Sequence, residues 1–183
     1  MHSNFEIDSI YCTETIFITE PISDKGFRLM NAYREKPNFI PWPPLLLVGF
    51  TLAAIVLNKV APLALEFQGI RTLGVLLIVL ALGIDLWAMR TLHDSKTTIL
   101  PNRGSTHLVA HGPFGYSRNP IYLANMMLLV GMGFLSLNSW FLALAPIDGI
   151  LTYFLAIKRE ENHLLAKFRY QFEDYCRKVR RWI

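Results

Sequence analysis

Cysteine is almost absent from this chain. Cys12 and Cys176 are the only two in 183 residues, and both lie in segments that we expect on the cytoplasmic side of a membrane. This excludes a disulfide-built fold, because thiols stay reduced in that compartment. Residues 1–40 also lack the apolar core of a secretory signal. We therefore interpret them as a polar, partly disordered lead-in to a single domain at 41–183.

Several familiar site patterns are missing or incomplete. A di-iron bundle needs two Glu-x-x-His motifs, and residues 160–163 supply only one. His107 and His111 have the spacing of helical metal ligands, but the neighbouring Gly and Pro residues oppose a helix there, so we predict no metal site. Gly131-x-Gly133 resembles part of a dinucleotide fingerprint. It lies inside an apolar stretch with no strand before it, which favours close helix packing instead.

Apolar residues are abundant. They make up 52% of the chain, and the mean hydropathy is +0.32, which is typical of a membrane protein. The pattern predicts an all-α membrane protein with about four transmembrane helices, a cytoplasmic loop and a C-terminal helical tail. The spans are predicted at Leu45–Leu57, Leu73–Met89, Ile121–Leu137 and Trp140–Ile157, the last continuing as a helix to about Phe168.

Proline marks the borders of these spans. Pro41, Pro43 and Pro44 are expected to prevent a helix before Leu45. Pro120 instead suits the first turn of the third helix. The boundaries are therefore predicted from proline chemistry as well as from hydropathy.

The distribution of basic residues predicts the orientation. They concentrate in the N-terminal segment, the second connection and the C-terminal tail. Four spans bring these three segments to one face, and the positive-inside rule makes that face cytoplasmic. We expect an integral protein of a bacterial inner membrane with both termini in the cytoplasm.

Two acidic residues lie within the predicted spans. A carboxylate at that depth is expensive and usually faces a partner or a polar cavity. We expect Asp85 to pair with Arg90 or with an arginine of the loop, whereas the sequence suggests no partner for Asp148. Structural pairing is favoured over catalysis for both.

Two polar clusters stand out against the apolar background. The first is the loop from Thr91 to Pro120, in which Gly112-Pro113 and the proline at 120 force bends before a helix start that favours an anionic group. The second is Arg159-Glu160-Glu161, at the far end of the last span. We predict that the two clusters meet in one site at the membrane surface. The alternatives are a capped loop with incidental polar residues and a solvated helix end.

The residues of these clusters resemble a known family. Leu108-Val109-x-x-Gly112-Pro113-Phe114 and Ser117-Arg118-Asn119-Pro120-x-Tyr122 are similar to the cofactor loop of the isoprenylcysteine carboxyl methyltransferase family, which is related to the membrane phospholipid methyltransferases. The tail matches through Arg159-Glu160-Glu161-x-x-Leu164-x-x-x-Phe168, then Tyr175 and Val179. The Asn-Pro pair resembles bacterial members of the family.

The resemblance implies an integral-membrane methyltransferase that uses S-adenosylmethionine and acts on a lipophilic small molecule or lipid. It implies catalytic or acceptor-side roles for Arg159, Arg118 and Glu161. The cofactor contacts that it implies are His107, Leu108, Val109, Phe114, Asn119, Pro120, Tyr122 and Glu160.

Two other functions stay open. One is a membrane reductase with a nicotinamide cofactor, although a phosphorylated dinucleotide would need several clustered cations and the loop core offers chiefly Arg118. The other is a non-enzymatic membrane scaffold or small transporter. No nucleic-acid partner is expected, and the sequence does not indicate the oligomeric state or the methyl acceptor.

Overall fold

The computed structural model describes residues 41–65, 69–95 and 108–183. The prediction for residues 1–40 and the predicted cofactor contact His107 lie outside these ranges. The described part of the chain is helical, with a single isolated β-bridge between Ala64 and Asn138. The elements are α1 (Trp42–Val60), α2 (Ile70–Asp94), a short 3-10 turn (Gly112–Gly115), α3 (Pro120–Ser136), α4 (Ser139–Thr152), a π-helical turn (Tyr153–Ile157), α5 (Lys158–Phe168) and α6 (Tyr170–Lys178).

The membrane architecture is confirmed. Three helical stretches are long and apolar enough to cross a bilayer, namely Trp42–Val60, Ile70–Asp94 and the continuous run Ser139–Phe168. The shorter apolar helix α3 spans Pro120–Ser136. The lipid-facing sides of α1 and α2 carry exposed leucine and valine side chains, which suits an apolar solvent. The chain is therefore an all-α membrane protein.

The first helix begins earlier than its prolines predicted. It starts at Trp42, with Pro43 and Pro44 inside its first turn, so the expectation of no helix before Leu45 is wrong. A first-turn residue has no intrahelical acceptor for its N–H, and proline therefore loses nothing at that position. Pro120 occupies the equivalent place in α3, as predicted.

The last span continues without a break into the tail. A π-helical turn at Tyr153–Ile157 joins α4 to α5, and the helix ends at Phe168 as expected. At the other end of α4, the Asn138 side chain accepts a hydrogen bond from the Trp140 N–H at 3.0 Å. The π turn adds a residue to the helical repeat and so rotates the face that α5 presents.

The carboxyl group of Asp85 is buried on α2, but its Oδ1 atom has no hydrogen-bond partner. The described residues contain no ion pair between Asp85 and Arg90, and Arg90 is exposed, so that one of the two expected pairings is wrong. The alternative pairing with an arginine of the loop stays a prediction, because residues 96–107 lie outside the described ranges. Asp148 is likewise buried on α4, with its Oδ1 atom unpaired.

Glycine sets how closely α2 and α3 approach each other. A Cβ atom at Gly131 would lie 2.8 Å from the Ile78 Cγ1 atom and 3.1 Å from the Gly74 carbonyl oxygen. A Cβ atom at Gly74 would lie 2.6 Å from the Leu135 backbone nitrogen. The two backbones therefore touch, as expected where small residues allow membrane helices to pack. This geometry confirms helix packing as the role of the Gly131 region.

We expect Gly131→Leu to destabilise the fold by about 1–3 kcal/mol, the usual range for overpacking a filled interface. The larger side chain must push α2 away from α3. The thermal unfolding midpoint of the detergent-solubilised protein measures the effect. Gly83→Leu is the matched control, because a Cβ atom there meets nothing within 4 Å. Equal midpoints for the two variants would contradict backbone contact at Gly131.

Candidate functional site

The 3-10 turn anchors the end of the polar loop between α2 and α6. Gly112 has a φ of +62°, and a Cβ atom there would lie 2.9 Å from the Thr91 Oγ1 atom. On the other side, the Tyr175 hydroxyl of α6 donates to the Phe114 carbonyl oxygen at 2.6 Å. A positive φ and a close neighbour both favour glycine at this position. The turn is therefore held from two sides.

The Tyr175 hydroxyl is suited to this donor role. Burial raises the pKa of the Tyr175 phenol, and the nearby Arg118 guanidinium opposes that rise only in part. The phenol therefore keeps its proton throughout the physiological range, since its ordinary pKa is already about 10. The hydrogen bond to the loop is accordingly independent of pH near neutrality.

The C-terminal end of the chain closes over the start of α3. The Arg118 N–H donates to the Arg180 carbonyl oxygen at 3.0 Å. The Asn119 Nδ2 atom donates to the Arg181 carbonyl oxygen at 3.0 Å, and the Ser117 hydroxyl donates to the same oxygen at 3.3 Å. Residues more than 60 positions apart thus form one layer. The carbonyl oxygens of Arg180 and Arg181 thereby find hydrogen-bond donors within the protein rather than in water.

A buried ion cluster lies beneath this layer. The Arg181 guanidinium donates to both carboxylate oxygens of Glu161, through Nε at 3.0 Å and Nη2 at 2.7 Å. The Arg118 Nη1 atom lies 3.5 Å from Glu161 Oε1, and the Arg181 guanidinium stacks over the Tyr153 ring at 5.1 Å. The three charged side chains are only 5–18% exposed. Bidentate geometry of this kind fixes both partners in position.

The tail also meets the start of α3 through Glu160. The Tyr122 hydroxyl on α3 donates to Glu160 Oε1 at 2.5 Å, and both residues are half-buried. From one turn of α5, Glu160 therefore contacts the first turn of α3 and Glu161 contacts Arg118 at the end of the loop. The predicted meeting of the two polar clusters is confirmed as geometry.

The other predicted residues occupy different surroundings. Val109 is buried, and Leu108 packs on a tail core of Leu165, Phe172, Tyr175 and Val179. Pro120 and Asn119 are buried at the helix start. Phe114 and Arg159 are partly exposed. Most of the predicted contacts that the structure describes therefore surround the start of α3, and their ligand roles stay predictions.

The sequence did not predict the contacts of Arg181 and Tyr153. It also did not predict the hydrogen bonds between the chain end and the segment that begins at Ser117. Arg181 is one of eight basic residues in the tail beyond Ile157, and nothing in the local pattern distinguishes it from its exposed neighbours. Tyr153 lies in an apolar span and looks like an ordinary lipid-facing aromatic residue. Only the contacts of Arg181 with Glu161 and with the Tyr153 ring reveal their role. Within the described ranges, no three His, Cys, Asp or Glu side chains cluster as metal ligands would.

The family model described as phospholipid methyltransferase matches residues 70–171, which is more than half of the chain. This range includes α2, the loop, α3 and α4, together with Tyr122, Glu160 and Glu161. The chain therefore belongs to the phospholipid methyltransferase family. The matched region is therefore a membrane-helical domain of a methyltransferase family.

Two curated bacterial proteins are similar to this chain. The nickel-cobalt-cadmium resistance protein NccN of Alcaligenes xylosoxydans xylosoxydans is 31% identical over 108 residues, which cover 59% of this chain and 46% of that protein. The cobalt-zinc-cadmium resistance protein CzcN of Cupriavidus metallidurans is 27% identical over 139 residues, which cover 72% of this chain and 57% of that protein. The chain thus spans about half the length of these relatives. No solved structure matches it significantly.

We expect Arg181→Ala to loosen the layer over α3. Removing Arg181 leaves the negative charge of the Glu161 carboxylate only partly balanced. Breaking a buried ion pair costs about 3–5 kcal/mol of stability. We expect the lower end of that range here, because Arg118 remains near Glu161. Hydrogen exchange of the 114–119 segment should accelerate, and the unfolding midpoint should fall. Arg177→Ala is the control, since Arg177 is exposed. Unchanged exchange in the Arg181 variant would show that the ion cluster does not hold the loop.

Proposed function

We propose that this chain transfers a methyl group from S-adenosylmethionine to a lipophilic, membrane-borne acceptor with a carboxylate, thiol or amine group. The observation that carries the proposal is the contact between Tyr122 and Glu160. It joins the loop and tail motifs on which the family resemblance depends. Family membership supports methyl transfer over the nicotinamide reductase and over a non-enzymatic scaffold.

The residues around Glu160 fit the proposed cofactor. S-adenosylmethionine supplies an electrophilic methyl group on a sulfonium and also carries an ammonium and a carboxylate. Glu160 offers a half-buried carboxylate for the ammonium, and its orientation is set by Tyr122. A carboxylate suits the N–H groups at the start of α3, which have no intrahelical acceptors.

The aromatic residues complete the fit. Phe114 lies in the 3-10 turn before α3 and Tyr122 in the first turn of α3, and their rings offer π faces for a sulfonium. Leu108 and Val109 would supply apolar surface to the cofactor, and Asn119 and Pro120 form the start of α3. His107 belongs to the same proposed set from the sequence. Acceptor and donor need alignment more than acid or base catalysis, because methyl transfer is an in-line displacement.

Three charged residues are proposed on the acceptor side. Arg159 is partly exposed at the membrane end of α5 and would orient an anionic acceptor group. Arg118 and Glu161 are held together by the ion cluster with Arg181. Their side chains are therefore pre-positioned beside the site. An amine or thiol acceptor would instead rely on the carboxylates.

The charge distribution supports the proposed orientation in a bacterial inner membrane. The tail that carries the site presents a set of exposed basic side chains, and the positive-inside rule assigns such a face to the cytoplasm. A soluble cofactor would enter from that side, and an apolar acceptor would arrive through the bilayer. The exposed set is Lys158, Lys167, Arg169, Arg177, Lys178 and Arg180.

The names of the two relatives favour a second candidate role. Both are called resistance proteins for cobalt, cadmium and a further metal. We propose that the present chain also contributes to tolerance of those metal ions. Growth of a deletion strain in graded cobalt and cadmium tests it. Unchanged tolerance would remove this role without affecting the methyltransferase proposal.

We expect Glu160→Ala to weaken binding of S-adenosylmethionine strongly while the protein stays folded. The variant loses the carboxylate proposed to hold the cofactor ammonium. A charged hydrogen bond of this kind contributes about 1.5–3 kcal/mol, so affinity should fall by roughly 10-fold or more. Titration calorimetry measures it. Asp174→Ala is the control, because Asp174 is an exposed acidic residue of α6. Wild-type affinity in the Glu160 variant would refute the assignment.

Arg159→Ala is expected to reduce turnover more than cofactor affinity. The guanidinium is assigned to the acceptor, so its loss should raise KM for the acceptor or lower kcat. The two quantities are measured by calorimetry and by methyl transfer to extracted membrane lipids, read as a mass increase. Lys158→Ala is a neighbouring exposed control. Parallel losses of binding and turnover would place Arg159 on the cofactor side instead.

A further inference from the structure

An open groove lies at the membrane face opposite the candidate site. It runs between the C-terminal halves of α1 and α3 and has a volume of about 370 Å³. Its walls come mainly from Ile55, Met132, Leu135 and Phe141. The groove exists because α1 packs more extensively on α4 than on α3. Its size falls in the range of small-ligand sites, about 300–1,000 Å³.

The polar side chains of this groove are engaged with the protein. The Ser136 hydroxyl donates to the Met132 carbonyl oxygen at 2.6 Å. The Thr51 hydroxyl donates to the Leu47 carbonyl oxygen at 2.7 Å. Asn58 accepts from the Leu63 N–H at 3.3 Å. A ligand would therefore contact apolar side chains along most of the length of the groove.

Of the described residues that line the groove, Lys59 is the one with a charged side chain. It stands in the last turn of α1, where the helix reaches the membrane surface. The described residues of this end contain a second cation, Arg71, which is exposed, and no acidic side chain. Among the described residues, no acidic side chain forms an ion pair with the Lys59 ammonium. Glu66, the acidic residue of the same connection, lies outside the described ranges.

We infer that this groove binds one acyl chain of an anionic phospholipid, with the lipid phosphate beside Lys59. An acyl chain matches the apolar walls, and the long lysine stem reaches from the groove to the headgroup level. A negative headgroup complements the cationic end. The inference is independent of the methyltransferase proposal, because the groove and Glu160 lie at opposite membrane faces.

The test compares retention of two lipids with identical acyl chains, phosphatidylglycerol and phosphatidylcholine. The full-length protein is purified in detergent, incubated with an equal mixture and examined by native mass spectrometry. Wild type should retain phosphatidylglycerol roughly fivefold more, the ratio that about one surface charge supplies. Lys59→Ala should bring the ratio to one. Ile55→Trp should remove both lipids by filling the groove.

Matched controls separate the groove from general surface attraction. Val56→Trp adds the same ring to the next position of α1, which is exposed and lies outside the groove, so lipid retention should not change. Arg71→Ala removes the other cation of this face and should keep the preference. A wild type without preference, a preference that survives Lys59→Ala, or equal losses in the Arg71 variant would each overturn the inference. Methyl transfer is not the readout, so its absence has no bearing on the result.

Discussion

The ion pair between Arg181 and Glu161 connects the two ends of the candidate site. Glu161 belongs to the helix that leaves the bilayer, and Arg181 lies close to the last residue of the chain. Their bidentate contact brings the backbone of Arg180 and Arg181 against the start of α3, where it accepts hydrogen bonds from Arg118, Ser117 and Asn119. In a partly desolvated place such a pair acts chiefly by fixing geometry. The layer over α3 depends on that fixed geometry.

The membrane part provides the rigid support for this layer. The contact between Gly74 and Gly131 brings the backbones of α2 and α3 together, and α2 then carries Thr91 to the 3-10 turn. The π-helical turn after α4 rotates α5 so that consecutive glutamates reach different partners. Glu160 reaches Tyr122 and Glu161 reaches the arginines. Helix packing within the bilayer thus determines which partner each acidic side chain meets.

Some of this architecture was predictable. The apolar blocks identify the spans because the bilayer core demands about 20 apolar residues in a helix, and Pro120 marks the start of α3. The start of α1 was misjudged, since Pro43 and Pro44 occupy a first turn where proline is tolerated. The expected pairing of Asp85 with Arg90 was also wrong. Charge proximity along the chain does not reveal which side of a helix each group faces, and Arg90 is exposed whereas Asp85 is buried.

The candidate site was likewise predictable only in part. The motifs around Phe114, Tyr122 and Glu160 are recognisable as short spacings, and they are sufficient to predict that loop and tail cooperate. Arg181 carries no such local pattern, because its function arises from a contact with a residue 20 positions earlier.

The sequence by itself therefore determined the membrane class, the approximate spans and the polar clusters, since hydropathy and helix-start chemistry act over a few neighbouring residues. The tertiary structure alone decided which glutamate meets which partner, how the chain end closes the loop and where the groove beside Lys59 opens. These features depend on helix rotation and on close backbone approach, which are set by packing among distant segments.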